Sequence, residues 1–252
     1  MSAAVAPVTA GLVVRPRVAV VLFPGSNCDT DAVEAVESAI EADAWIVRHD
    51  EKELGDVDLV VLPGGFAYGD YLRAGAMARF SPAMDAVASF AGKGGSVLGI
   101  CNGFQVLCEA GLLPGAMLKN ANLRFAHQDV LLRVETKRTP FTLTLKKDEL
   151  LRMPIAHGEG NWTVGRRDYD EMLARDQIVF RYVDATGEAT EEANPNGSFE
   201  NVAGVCNVKG NVVGLMPHPE RASEEILGNT DGAKLFRSFA HALLGMGSRI
   251  AV

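Results

Sequence analysis

Between Ser96 and Leu107 the sequence reads SVLGICNGFQVL: an apolar run stops at Cys101, a glycine stands two residues to either side, and an amphipathic run follows at once. A nucleophile held on a sharp strand-to-helix turn needs small neighbours, and Gly99-Ile100-Cys101-Asn102-Gly103 has the form of the G-x-S-x-G elbow with sulfur in place of oxygen. The first N–H groups of a helix favour negative charge, which suits a thiolate nucleophile and the anions it generates. The other reading of such a cysteine is a small buried core residue.

A nucleophilic cysteine requires a base. Among five histidines, His218 in GLMPHPER follows an apolar run, and Pro219 biases it towards extended backbone. Residues two apart in extended chain project to one side, so Glu220 can lie beside the imidazole and fix its tautomer. Cys101, His218 and Glu220 would then be nucleophile, base and orienter. The alternative for PHPE is a proline-rich turn with both side chains in solvent. In VVLPGGFAYGD an apolar run ends at Pro63-Gly64-Gly65, where backbone N–H groups can approach a ligand closely. Together with the N–H of Asn102 they could cradle an oxyanion, although Gly-Gly after a strand is by itself only a turn.

Other motifs carry less. FPGSNCD lacks the spacing of a phosphate-binding loop. PIAHGEGNW, with His157 and Glu159, reads as a polar loop at a subunit interface, the alternative being a second catalytic base. Cys108 and Cys206 read as core residues, and Cys28 as a loop cysteine open to solvent.

The elements that must position these residues alternate along the first half of the chain. RVAVVL, AWIVR, VDLVVL and SVLGI are near-continuous apolar runs of the kind that a parallel sheet covered on both faces demands. TDAVEAVESAIEA, AMARFSPAMDAVASFAGKG and NGFQVLCEAGLL are the helices between them. The second half predicts antiparallel additions: strands at QDVLLRVE, FTLTL and QIVFRYV, then a hairpin around Lys209-Gly210-Asn211. GAKLFRSFAHALLG closes the pattern as an amphipathic helix with a glycine stop at Gly245. The fold class is α/β: a doubly wound, mostly parallel sheet with helices on both faces and added antiparallel strands.

The 252 residues are 48% hydrophobic and carry a formal charge of -8, which suits one globular domain over residues 17–252 and argues against a broad basic surface for nucleic acid or anionic membrane. Four cysteines form no CxxC pair and no zinc spacing, so no metal is expected and a reducing, cytoplasmic compartment fits. Residues 1–16 read as a loose extension rather than a signal peptide, and no run approaches the roughly 18 to 20 apolar residues of a membrane helix.

Taken together, GICNGFQVL, GGFAYGDYLRAGAMA, AHGEGNW and MPHPER resemble the class I, triad-type glutamine amidotransferases, and among them the glutaminase subunits of purine biosynthesis. The resemblance covers roughly Arg17 to Leu244. It implies a flavodoxin-like fold and hydrolysis of glutamine to glutamate and ammonia. Cys101 would be the nucleophile, His218 the base and Glu220 its orienter. Gly65 and Asn102 would supply the oxyanion N–H groups, and Gln105 would help bind glutamine. The resemblance also implies a synthetase subunit that uses the ammonia to turn formylglycinamide ribonucleotide into its amidine, with a small accessory subunit beside it. ATP and Mg are expected on that partner, and no cofactor in this chain. A glutaminase feeding another acceptor, or a γ-glutamyl hydrolase of the same fold, is the alternative.

Overall fold

The computed structural model describes residues 15–245, so the extension expected over residues 1–16 lies almost wholly outside the described residues. The first half follows the expected alternation: β1 (Arg17–Leu22), α1 (Asp29–Ile40), β2 (Asp43–Arg48), β3 (Leu59–Leu62), α2 (Pro82–Gly92), β4 (Ser96–Ile100) and α3 (Asn102–Glu109). The second half adds β5 (Ala116–Leu118), β6 (Ala126–Val134), β7 (Leu150–His157), β8 (Asn161–Thr163), α4 (Arg166–Ala174), β9 (Ile178–Val183), β10 (Val202–Cys206), β11 (Val212–Leu215) and α5 (Ala233–Gly245).

Nine of the strands form one sheet in the order β2-β1-β3-β4-β11-β10-β9-β6-β7. From β2 to β11 every pairing is parallel, and from β11 to β7 every pairing is antiparallel. The parallel part has the flavodoxin-like order, with β11 in the fifth place. β3, β4 and β11 are buried at every residue, which requires cover on both faces of the sheet and explains their lack of charged residues and their richness in Val, Leu and Ile. α1 packs against α5, while α2 and α3 pack on β4. Pro82 opens α2, where its missing N–H costs nothing.

Two segments depart from the expected elements. FTLTL is a turn, not a strand: Thr142 N–H donates to Thr139 O and Leu145 N–H to Thr142 O, at 3.1 Å each. The Thr139 and Thr142 hydroxyls meet at 2.7 Å, and Ser238 of α5 caps the Pro140 carbonyl at 2.8 Å. Hydroxyl side chains beside a proline outcompete the strand ladder here. Conversely, β7 is a strand although Pro154 interrupts its pattern. It lies at the sheet edge, where a residue without N–H loses no ladder bond. There the Pro154 carbonyl accepts the His218 N–H at 2.9 Å, so the far edge of the antiparallel extension reaches the turn after β11.

Candidate active site

Four strand ends converge. Ligands in open α/β sheets bind beyond the carboxyl ends of the strands, and here β1 leads into Cys28, β3 into Gly64-Gly65, β4 into Cys101 and β11 into His218. Cys101 stands between β4 and α3 with φ 49° and ψ −104°, a left-handed conformation costly for a side chain with a Cβ. Its N–H is fixed by Leu215 O of β11 at 2.8 Å, and its carbonyl accepts the Gln105 N–H at 3.1 Å. The elbow closes because Gly103 lies directly against β3: a methyl group there would overlap the Leu62 carbonyl oxygen. The spacing of glycines around Cys101 is thus a packing requirement of the strained turn.

His218 and Glu220 are 2% and 3% exposed, and His218 Nδ1 lies 2.5 Å from Glu220 Oε1. Burial opposes a charge on the imidazole, but Glu220 and the nearby Cys101 sulfur more than offset it, so the ring is held well above its ordinary pKa. His218 Nε2 and Glu220 Oε2 are buried without a hydrogen-bond partner. The nitrogen opposite the Glu220 contact is therefore uncommitted, as a base needs.

Gly64 packs on this ring: a methyl there would lie 2.7 Å from His218 Cε1 and 3.1 Å from Cys28 Sγ. Cys28, read from the sequence as open to solvent, is 1% exposed. It ends the β1 loop as the residue before α1, and Arg221 Nη2 donates to its sulfur at 3.1 Å. Its burial follows from the Gly64 carbonyl, which accepts the Asn27 and Cys28 N–H groups and folds the loop inward. Cys28, His218 and Glu220 place their ligand atoms within 4.8 Å of one another. Arg221 at the sulfur and the Glu220–His218 hydrogen bond already satisfy much of that cluster. Cys206 is buried as expected, whereas Cys108 is only partly so.

Cys101 opens onto a cavity of about 280 Å³, the size for a small metabolite. Gly65, Gln105, His157, Gly158 and Glu159 share its wall with Asp70, Lys119 and Arg124. Gly65 and Asn102 stand on either side of the elbow, and neither N–H donates to an acceptor among the described residues. The Asn102 side chain is turned into the protein: its Oδ1 accepts the Ala67 N–H at 3.1 Å, and its Nδ2 donates to Gln105 Oε1 at 2.8 Å. Gln105 in turn donates to the Glu159 carbonyl at 2.6 Å, coupling the elbow helix to the loop after β7.

That loop, expected at a subunit interface, forms part of the cavity wall. His157 does not behave as a second base. Burial and the charge of His218 lower its pKa to about 4, so it is neutral, and both ring nitrogens are engaged. Its Nδ1 donates to Asn120 Oδ1 at 3.1 Å, and Asn196 Nδ2 approaches its Nε2 at 3.5 Å.

Sequence reasoning singled out the segment after Gly65 for the resemblance but gave its side chains no role. Tyr68, Asp70 and Leu72 all have positive φ, and the strain is held by the Tyr68 hydroxyl, 3.0 Å from both His49 Nδ1 and Ser81 Oγ. This latch puts Asp70 into the cavity. Burial and the neighbouring Glu159 raise its pKa to about 6. The single Gly69-Asp70 step in GGFAYGD was the available signal.

A strained cysteine elbow at the end of a central parallel strand, facing a buried His–Glu pair, is the arrangement expected of a triad-type glutamine amidotransferase of flavodoxin-like fold. A family profile described as a CobB/CobQ-like glutamine amidotransferase domain matches residues 15–238. The chain is 53% identical over 224 residues to the phosphoribosylformylglycinamidine synthase subunit PurQ of Koribacter versatilis, covering 89% of this chain and 97% of that one. The PurQ subunit of Chlorobaculum tepidum is 54% identical over 225 residues, with 89% and 96% covered. A solved structure of PurLQS from Thermotoga maritima superposes with a TM-score of 0.81 at 45% identity, over 91% of this chain and all of the matched chain. The chain belongs to the PurQ family of glutamine amidotransferase subunits.

Proposed function

We propose that this chain is the glutaminase component of a phosphoribosylformylglycinamidine synthase. It hydrolyses glutamine to glutamate and ammonia. A synthetase subunit, accompanied by a small accessory subunit, uses the ammonia with ATP and Mg to convert formylglycinamide ribonucleotide to its amidine in the cytoplasm. Among the described residues no helix is long and apolar enough to cross a membrane.

The observation that carries this reading is the buried pair of His218 and Glu220 beside the strained Cys101. His218 Nε2 takes the Cys101 proton, and the thiolate attacks the side-chain amide carbon of glutamine. The oxyanion that forms is met by the Gly65 and Asn102 N–H groups, which donate to no other acceptor among the described residues. His218 then gives its proton to the departing nitrogen, which leaves as ammonia, and a thioester remains on Cys101. Water, deprotonated by the same imidazole, attacks the thioester; glutamate leaves and the thiol is restored. Glu220 accepts from Nδ1–H throughout, which keeps Nε2 as the acceptor and stabilises the imidazolium.

The test separates nitrogen donors. In the complex, Cys101→Ala should abolish glutamine-dependent synthesis of the amidine and leave synthesis from ammonium salt intact. Loss of both reactions in an assembled complex would remove Cys101 from the role assigned to it.

A further inference from the structure

The turn Pro219–Ala222, which carries Glu220, is secured by its backbone more than by its carboxylate. The His218 N–H donates to Pro154 O at 2.9 Å, and the Ser223 hydroxyl donates to Glu220 O at 2.8 Å. Glu220 Oε1 meets His218 Nδ1, Oε2 has no partner, and no lysine or arginine ion-pairs with the carboxylate among the described residues. A buried carboxylate is ordinarily held by several donors, so what steadies this pair lies elsewhere. Arg221, the next residue, reaches across to the start of α1. Its Nε donates to Asp31 Oδ2 at 3.3 Å and its Nη2 to Cys28 Sγ at 3.1 Å. That sulfur, a ring nitrogen of His218 and an oxygen of Glu220 lie within 4.8 Å of one another. Burial opposes the guanidinium charge, but the Cys28 sulfur, Glu220 and Asp31 more than offset it, so Arg221 stays a cation. Neither Cys28 nor Arg221 lines the cavity beside Cys101, so neither is placed to touch glutamine.

Resting on the reading of His218 as the base of a glutaminase, we propose that Cys28 and Arg221 are its positioning residues. The guanidinium, anchored on the Cys28 sulfur and Asp31, fastens the turn of the base to α1 and holds down the proton affinity of the Cys101–His218 pair. Fastening keeps the imidazole where Nε2 can take the Cys101 proton. The charge opposes Glu220, which draws protons towards the ring, and so lowers the pH at which the site becomes active. The groups that face the His218 ring are Glu220 and Arg221 on its own turn, Cys101 on the elbow, Cys28 before α1 and His157 on β7. Arg221 is the permanent cation of this set, since His157 is neutral above about pH 4. Loss of a cation raises the proton affinity of every group near it, so the sign is the same whether Cys101 or His218 releases the proton.

The experiment follows ammonia release from glutamine by the full chain in its complex, along the ascending limb of kcat/KM against pH. Arg221→Met should move that limb to higher pH by about half a unit or more, and Arg221→Lys, which keeps the charge, should return it most of the way. The pH dependence of Cys101 alkylation by iodoacetamide should move in the same direction, a readout that needs no substrate. Cys28→Ala removes the sulfur that anchors the guanidinium; it should lower kcat about 10-fold with KM for glutamine unchanged, and Cys28→Ser should recover part of the loss. Urea midpoints identify the folded variants, and the Cys28 pair tests the fastening should Arg221→Met not fold. An unmoved limb in folded Arg221→Met would overturn the proposal, because the guanidinium would then serve only the fold. So would an equal shift in Arg221→Lys, or a wild-type kcat in Cys28→Ala. Release of no ammonia by the wild-type complex would instead refute the glutaminase reading, and this proposal with it.

Discussion

At the scale of single residues, two buried histidines in one site are driven in opposite directions. His218 has Glu220 against one nitrogen and is held protonatable; His157 has neutral amides at both nitrogens and the charge of His218 nearby, and is held neutral. The difference lies in the neighbouring charge, a carboxylate for His218 and the His218 imidazolium for His157, since both rings are buried. It gives a stability signature. With a folded pKa of about 4 against 6.5 when unfolded, His157 takes up a proton in the unfolded chain before it does so in the folded one. Its contribution is complete above pH 6.5 and is lost as the pH falls towards 4, by about 3 kcal/mol at most. Urea unfolding midpoints measured from pH 7 to pH 4 should fall, and His157→Gln should flatten that fall. An equally steep decline in the variant would assign the acid sensitivity to other groups.

At the scale of elements, the elbow depends on how closely α3 approaches β3. Gly103→Ala should force the first turn of α3 away from the Leu62 carbonyl, costing about 1–3 kcal/mol as overpacking does. Activity should drop further than stability, because Cys101 would leave the oxyanion donors; kcat beside denaturant midpoints would show the split. The parallel strands and the elbow were legible in the sequence because each is a continuous local pattern. The strand β7 was not, since Pro154 is tolerated only through an edge position that tertiary structure decides. FTLTL has a strand's alternation, yet Thr139 and Pro140 commit it to a turn capped from α5. The helix α4 went unread because RRDYDEMLA buries only Tyr169 and Met172. Within the site, the elbow and the PHPE turn announce themselves, but Cys28 and Asp70 acquire meaning only beside Gly64 and Glu159, residues distant in sequence.

At the scale of the whole molecule, the site is assembled from both ends of the chain. β4 has β3 on one side and β11 on the other, and β11 lies more than one hundred residues further along. Its carboxyl end delivers His218, so the proposed base and nucleophile become neighbours through that single parallel pairing. A chain cut after Asn207 would leave one edge of β4 uncovered and lack His218. It should be insoluble or associate through that edge, and Cys101 should resist a glutamine-analogue electrophile. A soluble, labelled fragment would show that β4 and the elbow form without β11. In time rather than space, the same pairing orders events during synthesis. The thiol emerges from the ribosome long before its base, and the central gap in the sheet stays open until β11 arrives to fill it. A half-made chain cannot spend the cell's glutamine, because the strand that completes the core also switches on the chemistry.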